Sequence, residues 1–149
     1  MRPIKTWVLI TDGARARVVV NGGPGRGFEA IEEGDFRSPD LASRFIERDR
    51  PGRTFDSQGP GRHDKVPSSD AHEQQERDFV NEVASFIEKE RNKGAFDRLI
   101  LVADPRSLGN LRKAISANVL DLVIGEVSKD LTQTPNSQLA KYLKDFLPV

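Results

Sequence analysis

Arg44, Arg48, Arg50, Arg53, Arg62 and Lys65 fall within residues 37–69. Pro51, Gly52, Gly59, Pro60 and Gly61 stand between them. Cations at this density can neutralise successive phosphates, and such contacts supply most sequence-independent affinity for nucleic acid. A segment this long with no clear periodicity is uncommon in a small domain and is usually functional or disordered. The candidate nucleic-acid contacts are Arg50, Arg53, Arg62, His63 and Lys65. Phe45 and Phe55 are the nearby aromatic side chains, so phosphate contact has more support than base stacking. The structural alternative is a disordered linker.

Two carboxylates suggest different chemistry. Asp12 and Asp104 each follow a predicted strand. Placed side by side, such a pair can hold Mg²⁺ for phosphoryl transfer. Each also has a complete structural role, Asp12 before glycine in a turn and Asp104 before proline at a helix start. A nuclease site of this kind needs further carboxylates facing the same point, and the sequence places none. Arg106 and Ser107 lie in the first turn of the helix after Asp104, where free N–H groups and the positive dipole end favour an anion. His63 and His72 have no third ligand at fixed spacing, so they carry little metal signal. The run Gly22-Gly23-Pro24-Gly25-Arg26-Gly27 matches neither phosphate-binding glycine pattern and reads as a turn. No catalytic residue, metal site or cofactor is assigned.

These residues need elements to position them. Residues 7–10 form a short apolar run of strand type. Asp12-Gly13 marks a hairpin, and residues 14–21 continue with the β-branched Val18, Val19 and Val20. Residues 28–36 read as a third strand. After the basic stretch, Asp70 with Glu73 fits a capping box. Phe79, Val80, Val83, Ala84, Phe86 and Ile87 follow on one helical stripe. Gly94 is placed to end that helix. Residues 98–103, RLILVA, look like a parallel strand buried on both faces. The next helix, begun by Asp104-Pro105, offers Leu108, Leu111 and Ile115 to the core. The apolar run at 120–124 supplies a fifth strand. Thr134-Pro135 starts a last helix carrying Leu139, Leu143 and Phe146. The pattern β-β-β-α-β-α-β-α, with right-handed crossovers, implies an α/β fold. A three-layer, ribonuclease-H-like mixed sheet of strand order 3-2-1-4-5 satisfies it.

The composition agrees with one domain over residues 1–149 that can bury a real core. Lys and Arg total 23, as do Asp and Glu, so no high overall pI points to nucleic acid. The charge is nonetheless segregated. Residues 1–27 hold five basic and one acidic side chain, and residues 70–92 hold seven acidic and three basic. The absence of cysteine excludes disulfides and thiolate chemistry. The run at 7–10 is too short for a signal-sequence core. No run approaches a membrane span. A cytoplasmic location without membrane insertion is the expectation, and oligomeric state is left open.

WVLITDGARARVVV near the start, GRHDKVPSSDAHEQQERDFVNEVASFI after the loop, and LILVADPRSLGNLRKAI followed by VSKDLTQTP together resemble the bacterial host-attachment protein family. That family is in turn similar to the middle domain of archaeal and eukaryotic peptide-chain release factors, which is ribonuclease-H-like. The resemblance implies a connection to RNA or the ribosome. In release factors a Gly-Gly-Gln tip precedes the long helix. Here the matching stretch is Gln58-Gly59-Pro60-Gly61-Arg62, so their hydrolytic mechanism does not carry over. Two other roles stay open: a metal-dependent nuclease or phosphoesterase using Asp12 and Asp104, or a module that binds a protein partner through an apolar patch near residues 147–149.

Overall fold

A computed structural model of the 149-residue chain describes residues 3–39 and 65–147, with side chains for all of these except 65–69. Three strands open it: β1 (Thr6–Thr11), β2 (Arg15–Asn21) and β3 (Glu29–Arg37). Helix α1 (Lys65–Asn92) leads to β4 (Arg98–Ala103), then α2 (Pro105–Ala114), the single turn α3 (Ala117–Leu120) and β5 (Val123–Ser128). A 3-10 turn (Asn136–Gln138) and the short α4 (Ala140–Leu143) follow. The five strands make one mixed sheet in the order 3-2-1-4-5, as the sequence implied.

The central strands are apolar because both of their faces are covered. Trp7 and Leu9 of β1 join Leu99 and Leu101 of β4 in one core, beneath Phe79, Val80, Val83 and Ile87 of α1 and Leu108 and Leu111 of α2. The alternate residues, Val8, Ile10, Ile100 and Val102, join Leu131, Leu139, Leu143 and Leu147 on the opposite face. Trp7 packs against Phe96 and Phe86, with ring centroids 5.0 and 6.2 Å apart. Leu147 is only 5% exposed. The expected apolar patch there is instead part of the core, and residues 148–149 lie outside the described residues.

β1 pairs antiparallel with β2 and parallel with β4, while β3 is antiparallel to β2 and β5 parallel to β4. The C-terminal ends of β1, β3, β4 and β5 therefore share one edge of the sheet. Helix α1 has 28 residues, about 42 Å at 1.5 Å per residue, against roughly 20 Å for a six-residue strand. Among residues 70–92 its buried side chains begin at Phe79. Glu76 meets Arg106 at the start of α2 and lies against Gly13 in the first hairpin. The eleven residues before Glu76 thus extend about 16 Å past the carboxyl edge.

Three element boundaries differ from the sequence reading. Helix α1 starts at Lys65, so Asp70 with Glu73 is not its cap, and the last part of the supposed loop is helix. Pro67 does not prevent this, because a first-turn N–H has no intrahelical acceptor to lose. The fifth strand starts at Val123. Ser116 captures the N–H of Val119 at 3.2 Å, and this cap turns residues 117–120 into a helical turn before the strand. At the C-terminus, Pro135 occupies the cap position itself without a side-chain capping bond, and the expected helix splits into a 3-10 turn and one α turn. Gly94 behaves as expected. At φ +76° it places its N–H on the Arg91 carbonyl and that of Ala95 on Glu90, the two bonds of a Schellman stop.

Candidate functional site

In open α/β sheets the crevice outside the carboxyl ends of the strands is where ligands gather. Here that edge is built around the turn between β1 and β2. Asp12 Oδ1 accepts the N–H groups of Ala14 at 2.8 Å and Arg15 at 2.7 Å. Asp12 Oδ2 pairs with Arg15 Nη2 at 3.1 Å. Burial pushes the Asp12 carboxyl pKa upward, but the two N–H donors and the Arg15 guanidinium outweigh it and hold the value below 3.8. Gly13 leaves room for α1, since a Cβ there would come within 2.3 Å of Glu76 Oε2.

Asp104 caps α2 as the sequence indicated, with Oδ2 accepting from Ser107 N at 3.3 Å. The proposed anion-binding pair, Arg106 and Ser107, is engaged within the protein. Ser107 is buried, and Arg106 Nη1 lies 3.2 Å from Glu76 Oε1. Asp12 and Asp104 both hold backbone N–H groups, the structural role available to each from sequence. Among the described residues, no three His, Cys, Asp or Glu side chains come together in a way that suits a metal ion. His72 is half-buried on α1. Arg50, Arg53, Arg62 and His63 lie outside the described residues. Lys65 opens α1, and its side chain is likewise outside them.

Three arginines that the sequence reading passed over meet at this edge. Arg15 and Arg17 alternate with the buried Ala16 and Val18 along β2 and so share the opposite face. Arg37 pairs directly across from Arg15. Between the pairs Ala16–Phe36 and Val18–Ile31, β2 has only Arg17, whereas β3 has the four residues 32–35. This bulge turns the end of β3 and brings Asp35 and Arg37 to the face of Arg17. Gly34 permits it, for a Cβ there would lie 2.7 Å from Val18 Cγ2. The alternation Arg-Ala-Arg was visible in the sequence. The register that sets Arg37 opposite Arg15 was not.

Arg17 also fastens the C-terminal segment. Its guanidinium donates to the carbonyls of Leu131 and Thr134 and to Asn136 Oδ1. Burial lowers its pKa, with Asp35 acting in the other direction. A cavity of about 110 Å³ remains between Arg15, Arg17, Arg37, Asp35, Thr132 and Gln133.

A larger groove, about 750 Å³, opens at the other end of the sheet over Trp7, Val20, Ile31 and Phe86. Its rim carries Lys5, Arg26, Lys89 and Lys93 against Glu29, Glu33 and Glu90. The charge is nearly balanced, and Lys93 is paired with Glu90 at 2.9 Å.

No helix among the described residues is long and apolar enough to cross a membrane. The family described as "protein required for attachment to host cells" matches residues 7–143. No curated protein matches the chain.

Proposed function

We propose that this chain, which belongs to the family of proteins required for attachment to host cells, works as an RNA- or ribosome-associated binding module. The observation that supports this reading is the placement of Arg15, Arg17 and Arg37 at the carboxyl edge. β3 ends there at Arg37, and α1 begins at Lys65, the outer end of a helix that overhangs the sheet. Arg50, Arg53, Arg62, His63 and Lys65 are the proposed contacts, and a ribonuclease-H-like sheet is their proposed scaffold. The likeness to the release-factor middle domain supports an RNA partner, while the missing Gly-Gly-Gln argues for binding without peptidyl-tRNA hydrolysis. Four carboxylates on residues 70–78 stand beside a single arginine there, so Lys65 is the one proposed contact that lies on the outer helix.

Sedimentation with ribosomes over a salt series tests this reading. Binding at low salt that fades steadily as salt rises supports it. Absent or salt-insensitive binding overturns it. The enzyme alternative, a metal-dependent phosphoesterase using Asp12 and Asp104, has less support because both carboxylates hold backbone N–H groups. The protein-partner alternative loses Leu147 from its proposed patch.

A further inference from the structure

The geometry points to a phosphate-binding pocket formed by Arg15, Arg17 and Arg37 on the outer face of β2 and β3. Like charges directly opposite on neighbouring strands destabilise a sheet, yet the register sets Arg15 against Arg37. Arg17 follows two residues along on the same face. The three arginines line one cavity with Asp35, Thr132 and Gln133. Asp12 neutralises Arg15 in part, and Asp35 stands near Arg17 without forming an ion pair. Arg37 has no hydrogen-bond or ion-pair partner among the described residues.

The donor count is also in excess. Three buried side-chain atoms among the described residues lack a hydrogen-bond partner: Arg15 Nε, Arg17 Nε and Asp104 Oδ1. Two of the three belong to arginines that line this cavity, but neither Nε has surface open to it, so contact with a ligand there falls to Arg37 and the outer nitrogens of Arg15. A tetrahedral oxyanion offers acceptors in several directions and pairs well with guanidinium forks. The volume of about 110 Å³ is roughly three to four times the liquid share of one water, room for a phosphate group. Thr132 and Gln133 supply neutral polar atoms at the wall. The ligand is thus a phosphate, free or as part of a nucleic-acid backbone.

The pocket deepens the RNA reading, on which its biological use rests, but inorganic phosphate tests it separately. The experiment is calorimetric titration of the full chain with inorganic phosphate at low, matched ionic strength. Arg37→Gln removes an exposed side chain that has no partner among the described residues, and it should leave folding intact. Arg112→Gln, which breaks the surface pair with Glu126 on α2 and β5, is the control. Saturable binding is expected in the wild type, about tenfold weaker in Arg37→Gln and unchanged in Arg112→Gln. No saturable binding, or equal affinity in wild type and Arg37→Gln, overturns the pocket. Transfer RNA binding distinguishes the sources. A salt slope reduced by about one in Arg37→Gln assigns the pocket to backbone phosphate, and an unchanged slope assigns it to free phosphate. Phosphate binding without RNA binding leaves the pocket standing and removes the RNA reading. RNA binding without phosphate binding does the reverse.

Discussion

Arg15 and Arg37 stand directly opposite each other across β2 and β3, a placement that costs stability unless an anion joins them. Arg37→Glu should therefore raise stability, because it turns a like-charge pair into an opposite one. The expected gain in urea unfolding is about 0.2–1 kcal/mol, accompanied by loss of phosphate binding. A variant that is both less stable and fully able to bind phosphate would contradict this account of the pair.

Arg17 holds the C-terminal segment through Leu131, Thr134 and Asn136. Arg17→Met should cost about 2–4 kcal/mol, since several acceptors lose a charged donor at once. Hydrogen exchange gives the sharper test. Amides of residues 131–143 should lose protection more than those of β1 and β4.

Asp12 makes a pH prediction with a definite sign. Its carboxyl is more acidic in the folded protein than its ordinary value of 3.8. The resulting stability is complete above the ordinary value and is lost as pH falls through the depressed folded value. Asp12→Asn keeps an acceptor but removes the charge. Its destabilisation, about 0.5–2 kcal/mol, should be constant from pH 5 to 8 and should shrink below pH 3.8. Denaturant unfolding at a series of pH values measures the gap, and a gap that widens toward acid would refute the assignment.

Two glycines mark close approaches. A Cβ at Gly34 would meet Val18 Cγ2 at 2.7 Å, and one at Gly125 would meet Phe146 Cδ1 at 2.3 Å. Gly34→Ala and Gly125→Ala should each lower stability by about 1–3 kcal/mol through overpacking. They differ in location. Gly34→Ala should disturb the bulge and weaken phosphate binding, whereas Gly125→Ala should loosen Phe146 and leave phosphate binding unchanged. Thermal unfolding and phosphate titration of both variants separate the two effects.

Much of the fold was legible in the sequence because its signals are local. RLILVA announces a strand buried on both faces, Asp104-Pro105 a capped helix, and Gly94 a helix stop. Each depends on residues within one turn or strand. The errors arose where tertiary contacts outweighed local chemistry. Thr134-Pro135 looked like a helix start, but the Thr134 carbonyl accepts from Arg17, and the chain bends into a 3-10 turn. Ser116 had enough local signal to be read as a cap, yet the apolar run after it drew the strand boundary too early. The candidate pocket was the least visible part. Its making depends on how many residues of β3 bulge opposite Arg17, a fact set by pairing across strands and by the space that Gly34 leaves.

The central claim is that the cations of residues 50–65 grip a nucleic-acid backbone. The most direct measurement is the equilibrium constant for transfer RNA as a function of salt, with wild type beside a variant in which Arg50, Arg53 and Arg62 are all glutamate. The four cationic contacts, Arg50, Arg53, Arg62 and Lys65, predict a log–log slope of about −2.8 to −3.6 and loss of binding in the triple variant. A slope near zero, or binding that survives the three charge reversals, would contradict the claim.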